Sequence, residues 1–181
     1  KGDADPEGRG RGKGYAGLKL LPGGTTEVEV RGMEAVRSDF TPLARRFQVE
    51  LLTHVFAGAD ERALAAYCRA LEQGLAAGER DGELVYRRSL RRPADQYGSA
   101  TPQVRAARQL GWTDRRGRIE YVMTRAGPEA VEARSGAPLD HDHYRDKQLL
   151  PIARSVADVL GADVRGWFGG SAQLELFPER R

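Results

Sequence analysis

Between Leu84 and Thr124 the chain carries Arg87, Arg88, Arg91, Arg92, Arg105, Arg108, Arg115, Arg116 and Arg118, opposed only by Asp95, Asp114 and Glu120. A guanidinium stripe of this kind is the electrostatic footprint expected for a phosphate backbone, because each neutralised phosphate releases condensed counterions. No base-reading helix accompanies it, so the contacts it implies position a duplex without reading its sequence. The plain alternative is a solvated basic face with no ligand.

Two acidic tracts invite a metal reading. Gly2-Asp3-Ala4-Asp5 spaces two carboxylates as two-metal phosphoryl transfer requires. Pro6 and a glycine-arginine loop follow, however, and a loose loop does not hold catalytic geometry. Asp140-His141-Asp142-His143 lacks an obvious fourth ligand, His54 being remote, and acidic residues there suit a helix N-terminus. Cys68 falls on an apolar helical stripe and is assigned to the core. No catalytic residue and no metal ligand is therefore assigned within the chain.

The bulk numbers frame these clusters. With 181 residues there is enough chain for one modest domain plus attached pieces. The 29 basic and 26 acidic residues nearly cancel, to a formal charge of +3, so the distribution of charge carries the information. Lys1, Lys13, Lys19 and Lys147 are the only lysines, and arginine forks onto phosphate oxygens better than lysine does. A single cysteine excludes an internal disulfide and argues against a cysteine-based zinc site. No apolar run approaches a membrane span and no signal peptide is evident, so a cytoplasmic location without a membrane partner is expected. The first residue is Lys1, which suggests a fragment whose N-terminal side is missing.

Several elements must position the arginines. Residues 1–14 have glycine, charge and no apolar period, and are expected to form a flexible loop. Two extended segments follow, joined at Pro22-Gly23-Gly24, with Val28 and Val30 alternating against charged neighbours as in a half-buried hairpin. Thr41-Pro42 supplies an N-cap and a first-turn proline, and Leu43, Phe47, Leu51 and Val55 then recur every four residues. A second helix starts near Asp60 and carries Leu64, Tyr67, Cys68, Leu71 and Leu75, so an antiparallel helix pair is predicted. Thr101-Pro102 repeats the capped start. Ile119, Tyr121 and Met123 alternate before a turn at Ala126-Gly127-Pro128. Asp140 caps a last helix that Pro151 should bend or split. From Arg165 onward the pattern is lost.

In order along the chain, Tyr15-Ala16-Gly17, GMEAVRSDFTPLARRFQ (residues 32–48), LVYRRSLRRPADQY (84–97), TPQVRAARQLG (101–111), RGRIEYVMTRAGPE (116–129) and LDHDHYRDKQLLPIA (139–153) closely resemble the late palm and thumb of family B DNA polymerases, of the bacterial polymerase II type. The likeness runs from about Tyr15 to Phe177. It implies an α+β fold, with a mainly helical thumb containing short β-hairpins and preceded by a small β element from the end of the palm. The corresponding division is a loop over 1–14, the end of the palm over 15–36, the thumb over 37–164 and a flexible tail over 165–181.

The resemblance also implies roles for residues. Gly12-Lys13-Gly14-Tyr15 stands where the family has a basic motif along the minor groove of the primer–template duplex. Lys13 and Tyr15 match it, while glycines replace the flanking basic positions. Arg87, Arg88, Arg91, Arg92 and Tyr97 fall on the block that holds the duplex backbone. Thr101-Pro102-Gln103-Val104 matches a Pro-His-Val element with Gln103 in place of histidine, and Arg105 follows it as a phosphate contact. Gln173-Leu174-Glu175-Leu176-Phe177 matches the pentapeptide by which bacterial polymerases dock on the β sliding clamp, Gln173, Leu174, Leu176 and Phe177 being the defining positions. Packing of those apolar residues on the thumb is the alternative. The implied partners are primer–template duplex DNA, the clamp, and the upstream palm, fingers and exonuclease domains of the same polymerase. The implied enzyme is a DNA-directed DNA polymerase whose carboxylates and Mg2+ lie upstream, so no cofactor is expected in this chain and the isolated chain is expected to be inactive. The other reading is a stand-alone, non-catalytic DNA- and clamp-binding module from a split or degenerate gene.

Overall fold

In the computed structural model of the chain, which describes residues 14–33 and 40–169, helix starts are set by side-chain caps. Thr41 Oγ1 accepts from the Ala44 amide at 3.3 Å ahead of α1 (Pro42–Phe56), and Asp60 Oδ1 accepts from the Ala63 amide at 2.8 Å ahead of α2 (Glu61–Ala76). Each cap meets one of the donors that a helix N-terminus leaves unpaired. Leu43, Phe47 and Leu51 of α1 and Leu64, Cys68, Leu71 and Leu75 of α2 are buried, as their spacing predicts. The two helices meet where the Phe47 and Tyr67 rings stack at 5.9 Å and the Tyr67 hydroxyl donates to Glu50 at 2.6 Å. Cys68 is fully buried, and burial pushes its thiol up to about 12, the behaviour of a core residue.

Ahead of the helices, β1 (Tyr15–Leu20) and β2 (Thr26–Arg31) form an antiparallel hairpin in the predicted place, with Leu18 opposite Val28. A second sheet has the order β3 (Tyr86–Leu90), β4 (Gly117–Thr124), β5 (Gly127–Ala130), all antiparallel. The β4–β5 hairpin turns at Arg125-Ala126, just before the predicted position, because Gly127 opens β5 with φ +111°. Alternation in β4 is incomplete. Ile119 and Tyr121 are buried and Met123 half-buried, but Val122 and Thr124 on the other face are buried too. The helix α3 (Pro102–Gln109) packs against β4 and β5. Gln109 clamps it down, donating to Pro128 O and accepting from the Ala130 amide, each at 3.0 Å. Gln109 thereby closes the β5 edge and leaves β3 as the open edge of the sheet.

Thr101 does precede α3, but its hydroxyl makes no cap hydrogen bond and is buried without a partner. The last helical region divides as Pro151 requires: α4 (His141–Tyr144), a π turn over Arg145–Leu149, then α5 (Leu150–Leu160) with the proline in its first turn. A proline lacks the N–H of the regular ladder and clashes with the carbonyl four residues back, so the ladder widens just upstream. Tyr86 stacks with Tyr121 at 5.1 Å and with Tyr144 at 5.6 Å, joining the sheet to this helix. Packing continues past the point where the apolar pattern fades: Val164–Gly166 forms a short 3-10 turn, and Trp167 and Phe168 are buried beyond it. The architecture is α+β, a mainly helical body with short antiparallel hairpins, preceded by a small β element. Among the described residues, no helix is long and apolar enough to cross a membrane.

Candidate functional site

Strand β3 sets two arginines on opposite faces of one edge. Tyr86, Arg88 and Leu90 share a face by the two-residue period, and the buried Tyr86 and Leu90 mark it as the inner one. Arg87 and Ser89 take the outer face. There the register sets Arg87 opposite Glu120 and Ser89 opposite Arg118. An open cleft of about 740 Å³ wraps this edge, lined by Arg45, Arg87, Arg88, Ser89, Arg91, Gln103 and Arg118. Its walls thus come from α1, β3, the first turn of α3 and β4, with no carboxylate among them. Five guanidinium groups around one concavity repel one another, and a polyanion relieves that repulsion.

The charges are not equivalent. Arg87 Nε lies 2.8 Å from Glu120 Oε1, so its charge is already partly answered within the sheet. Arg45 and Arg88 are half-buried, and the Nε of each is buried with no hydrogen-bond partner. Burial pushes the Tyr121 hydroxyl up, and the neighbouring Arg88 guanidinium opposes that push. Arg91 and Arg118 stand exposed. Behind them the loop after β3 is fixed: the Arg91 amide donates to the Tyr97 hydroxyl at 3.1 Å, the Arg92 guanidinium lies 4.5 Å above the Tyr97 ring, and Arg108 donates to Ala94 O at 3.1 Å.

The structure therefore brings together Arg87, Arg88 and Arg91 of the expected phosphate contacts. Arg92 and Tyr97 lie beside them as a stacked pair that shapes the loop. Arg105 stands apart: a Cβ placed on Gly127 would fall 2.9 Å from its Nη2, so its guanidinium covers the β4–β5 turn. Tyr15 borders a separate apolar groove with Met33, Phe56 and Val159. Lys13, Asp3 and Asp5 lie outside the described residues, as do Gln173, Leu174, Leu176 and Phe177. Arg45 joins the cleft without having been expected there. Forty-odd residues separate it from the arginine stripe, and only the packing of α1 beside β3 reveals it.

The Asp140–His143 tract has structural partners. Asp140 Oδ1 accepts from the His143 amide at 3.0 Å, His141 Nε2 lies 2.7 Å from Asp81 Oδ1, and His143 Nε2 lies 2.9 Å from the Tyr86 hydroxyl. Among the described residues, no group of three or more His, Cys, Asp or Glu side chains is placed to hold a metal ion.

No family model matches the chain. DNA polymerase II of Escherichia coli (strain K12) is 39% identical over 155 residues, covering 80% of this chain and 19% of that protein. DNA polymerase 2 of Aeropyrum pernix is 29% identical over 178 residues, covering 91% of this chain and 21% of that protein. Among solved structures, the family B DNA polymerase from the hyperthermophilic archaeon Pyrobaculum calidifontis has a similar fold, with a TM-score of 0.64 at 22% identity over 81% of this chain and 20% of that one. Over most of its length the chain is homologous to these two DNA polymerases and shares the fold of the family B structure, and it spans about a fifth of the length of the relatives it matches.

Proposed function

We propose that this chain is the duplex-gripping C-terminal portion of a family B DNA polymerase: the end of the palm, the thumb, and a tail that docks on the bacterial β sliding clamp. The polymerase's catalytic carboxylates and its Mg2+ belong to parts of the enzyme that this chain does not include. The observation that carries the reading is the convergence of Arg45, Arg87, Arg88, Arg91 and Arg118 on one open, carboxylate-free cleft along the β3 edge. Homology over most of the chain supports the assignment of that cleft to DNA.

On this reading the cleft holds the sugar–phosphate backbone of the primer–template duplex just behind the site of synthesis. Arg91 and Arg118, exposed and flexible, supply charge to successive phosphates. Arg88 and Arg45, half-buried, offer directed N–H donors. Gln103 adds a neutral donor at the positive end of α3. These groups line one open concavity and serve as phosphate contacts, which position a duplex without reading its bases, so binding is indifferent to sequence. Lys13 and Tyr15 follow the duplex minor groove at the palm end.

The test is fluorescence anisotropy of labelled primer–template duplexes across a salt series. Binding should be sequence-independent, and its salt slope should fall by about 0.9 for each phosphate contact removed, as in the double variant Arg91→Gln, Arg118→Gln. Duplex affinity and slope left unchanged in that variant would sink the assignment of the cleft.

A further inference from the structure

Arg45 and Arg88 approach the cleft from different elements, α1 and the edge strand β3, and each presents a buried Nε without a hydrogen-bond partner. Such an N–H is a directional donor that, once removed from water, requires an acceptor. No carboxylate lines the cleft to supply one. At the adjoining start of α3, Thr101 Oγ1 is likewise buried and unpartnered, and Gln103 on the same turn lines the cleft wall. Two buried, unpartnered guanidinium N–H donors from two elements thus line one cleft.

We infer that the cleft contains one discrete oxyanion seat that bridges Arg45 and Arg88 and takes a tetrahedral phosphate. The inference deepens the duplex reading and rests on it for the natural source of that phosphate, a backbone phosphodiester. Free inorganic phosphate carries the same chemistry and fills the same seat. Occupation ties α1 to the open edge of the sheet, so the ligand cross-links two layers of the fold. The remaining cleft arginines act through diffuse charge, whereas this pair acts through fixed geometry. Binding at the seat is therefore visible as stabilisation of the folded chain, because a ligand held only by the native state raises its unfolding temperature.

The experiment is thermal unfolding of the full chain in inorganic phosphate against chloride at matched ionic strength, with duplex binding measured in parallel. The variants are Arg45→Gln, Arg45→Lys, Arg88→Gln and, for comparison, Arg91→Gln. Exclusion of phosphate from protein surfaces stabilises every variant alike, so only the difference from wild type reports the seat. Phosphate should raise the unfolding temperature of wild type and Arg91→Gln by more than that of the Arg45 and Arg88 variants. Should Arg45→Gln fail to fold, Arg45→Lys carries the test, since it keeps the charge and loses the Nε donor. Duplex affinity should drop by about tenfold in Arg45→Lys, the size of one charge-assisted contact. Equal phosphate shifts in wild type and every variant would overturn the seat while leaving duplex binding intact. A phosphate shift that depends on Arg45, in a protein that binds no duplex, would support the seat and refute the duplex reading.

Discussion

Arg87 and Glu120 face each other across β3 and β4, and Arg87 Nε lies 2.8 Å from Glu120 Oε1 on the outer surface of the sheet. Both side chains are substantially exposed, so the pair adds little to stability, typically under about 1 kcal/mol. Its effect on ligands is larger. Glu120 answers one cleft arginine and adds a negative charge close to the path of a backbone. Replacing Glu120 with Gln should strengthen duplex binding and steepen its salt dependence, with almost no change in unfolding temperature. Replacing Arg87 with Gln should weaken binding less than Arg91→Gln does. Anisotropy titrations at two or more salt concentrations decide both points, and weaker binding by Glu120→Gln would contradict the arrangement.

Gln148, in the π turn, reaches across to the start of α1, where its Oε1 accepts from the Thr41 amide at 2.9 Å. Thr41 is fully buried and Gln148 is 5% exposed, so water does not replace the bond. Gln148→Leu leaves the Thr41 N–H unmet and should cost about 1–3 kcal/mol of stability. Urea unfolding should show a lower midpoint with an unchanged slope. A midpoint equal to wild type would mean that the π turn does not anchor α1.

His143 provides a pH dependence of defined sign. Burial holds its imidazole below the ordinary range, with Asp140 and Asp146 pulling it up and Lys147 pushing it further down. Burial also raises Tyr86, whose hydroxyl keeps its proton and lies 2.9 Å from Nε2 of the neutral ring. The unfolded histidine, near about 6.5, takes up a proton before the folded one does, so within that window the unfolded state binds more protons and stability rises with pH. The contribution is complete above the unfolded value and is lost as pH falls below it, down to the point where the folded ring also protonates. Comparing urea midpoints of wild type and His143→Gln from about pH 8 to about pH 5.5 isolates it from the carboxylates, which titrate lower. The variant should lose less stability on acidification, and parallel curves would remove His143 as the cause.

Local chemistry explains which parts of the fold were legible in the sequence. Thr41-Pro42 and Asp60 mark helix starts because their caps act within three residues, and Pro151 splits its helix because a missing N–H is a local defect. The pairing of β3 with β4 was not legible. Its register bridges the whole of α3, and no turn signal connects Leu90 to Gly117. Trp167 and Phe168 carry no period that would reveal their burial. The same distinction runs through the cleft. Arg87, Arg88, Arg91 and Arg118 appear as a stripe, yet Arg45 joins them only through tertiary packing. Arg105, inside the stripe, is turned away toward Gly127 by its place on α3. Charge density along a chain locates a surface, and only the fold decides which charges share it.

Gln173, Leu174, Leu176 and Phe177 form the proposed clamp-docking segment, and their properties suit a peptide laid into a preformed groove. Leucine and phenylalanine give up little conformational freedom for the area they bury, and the glutamine amide fixes orientation by hydrogen bonding. Each anchor, fully buried, contributes about 1.5–3 kcal/mol. Removing two of them, in Leu176→Ala with Phe177→Ala, should weaken clamp binding by about a hundredfold or more. On the proposed reading the tether acts by raising effective concentration at the primer end, so the same variant should bind free duplex as wild type does. Surface plasmon resonance against immobilised β clamp, with duplex anisotropy in parallel, separates the two activities. Undiminished clamp binding would refute the docking role. Loss of both activities together would instead indicate that Leu176 and Phe177 pack on the thumb.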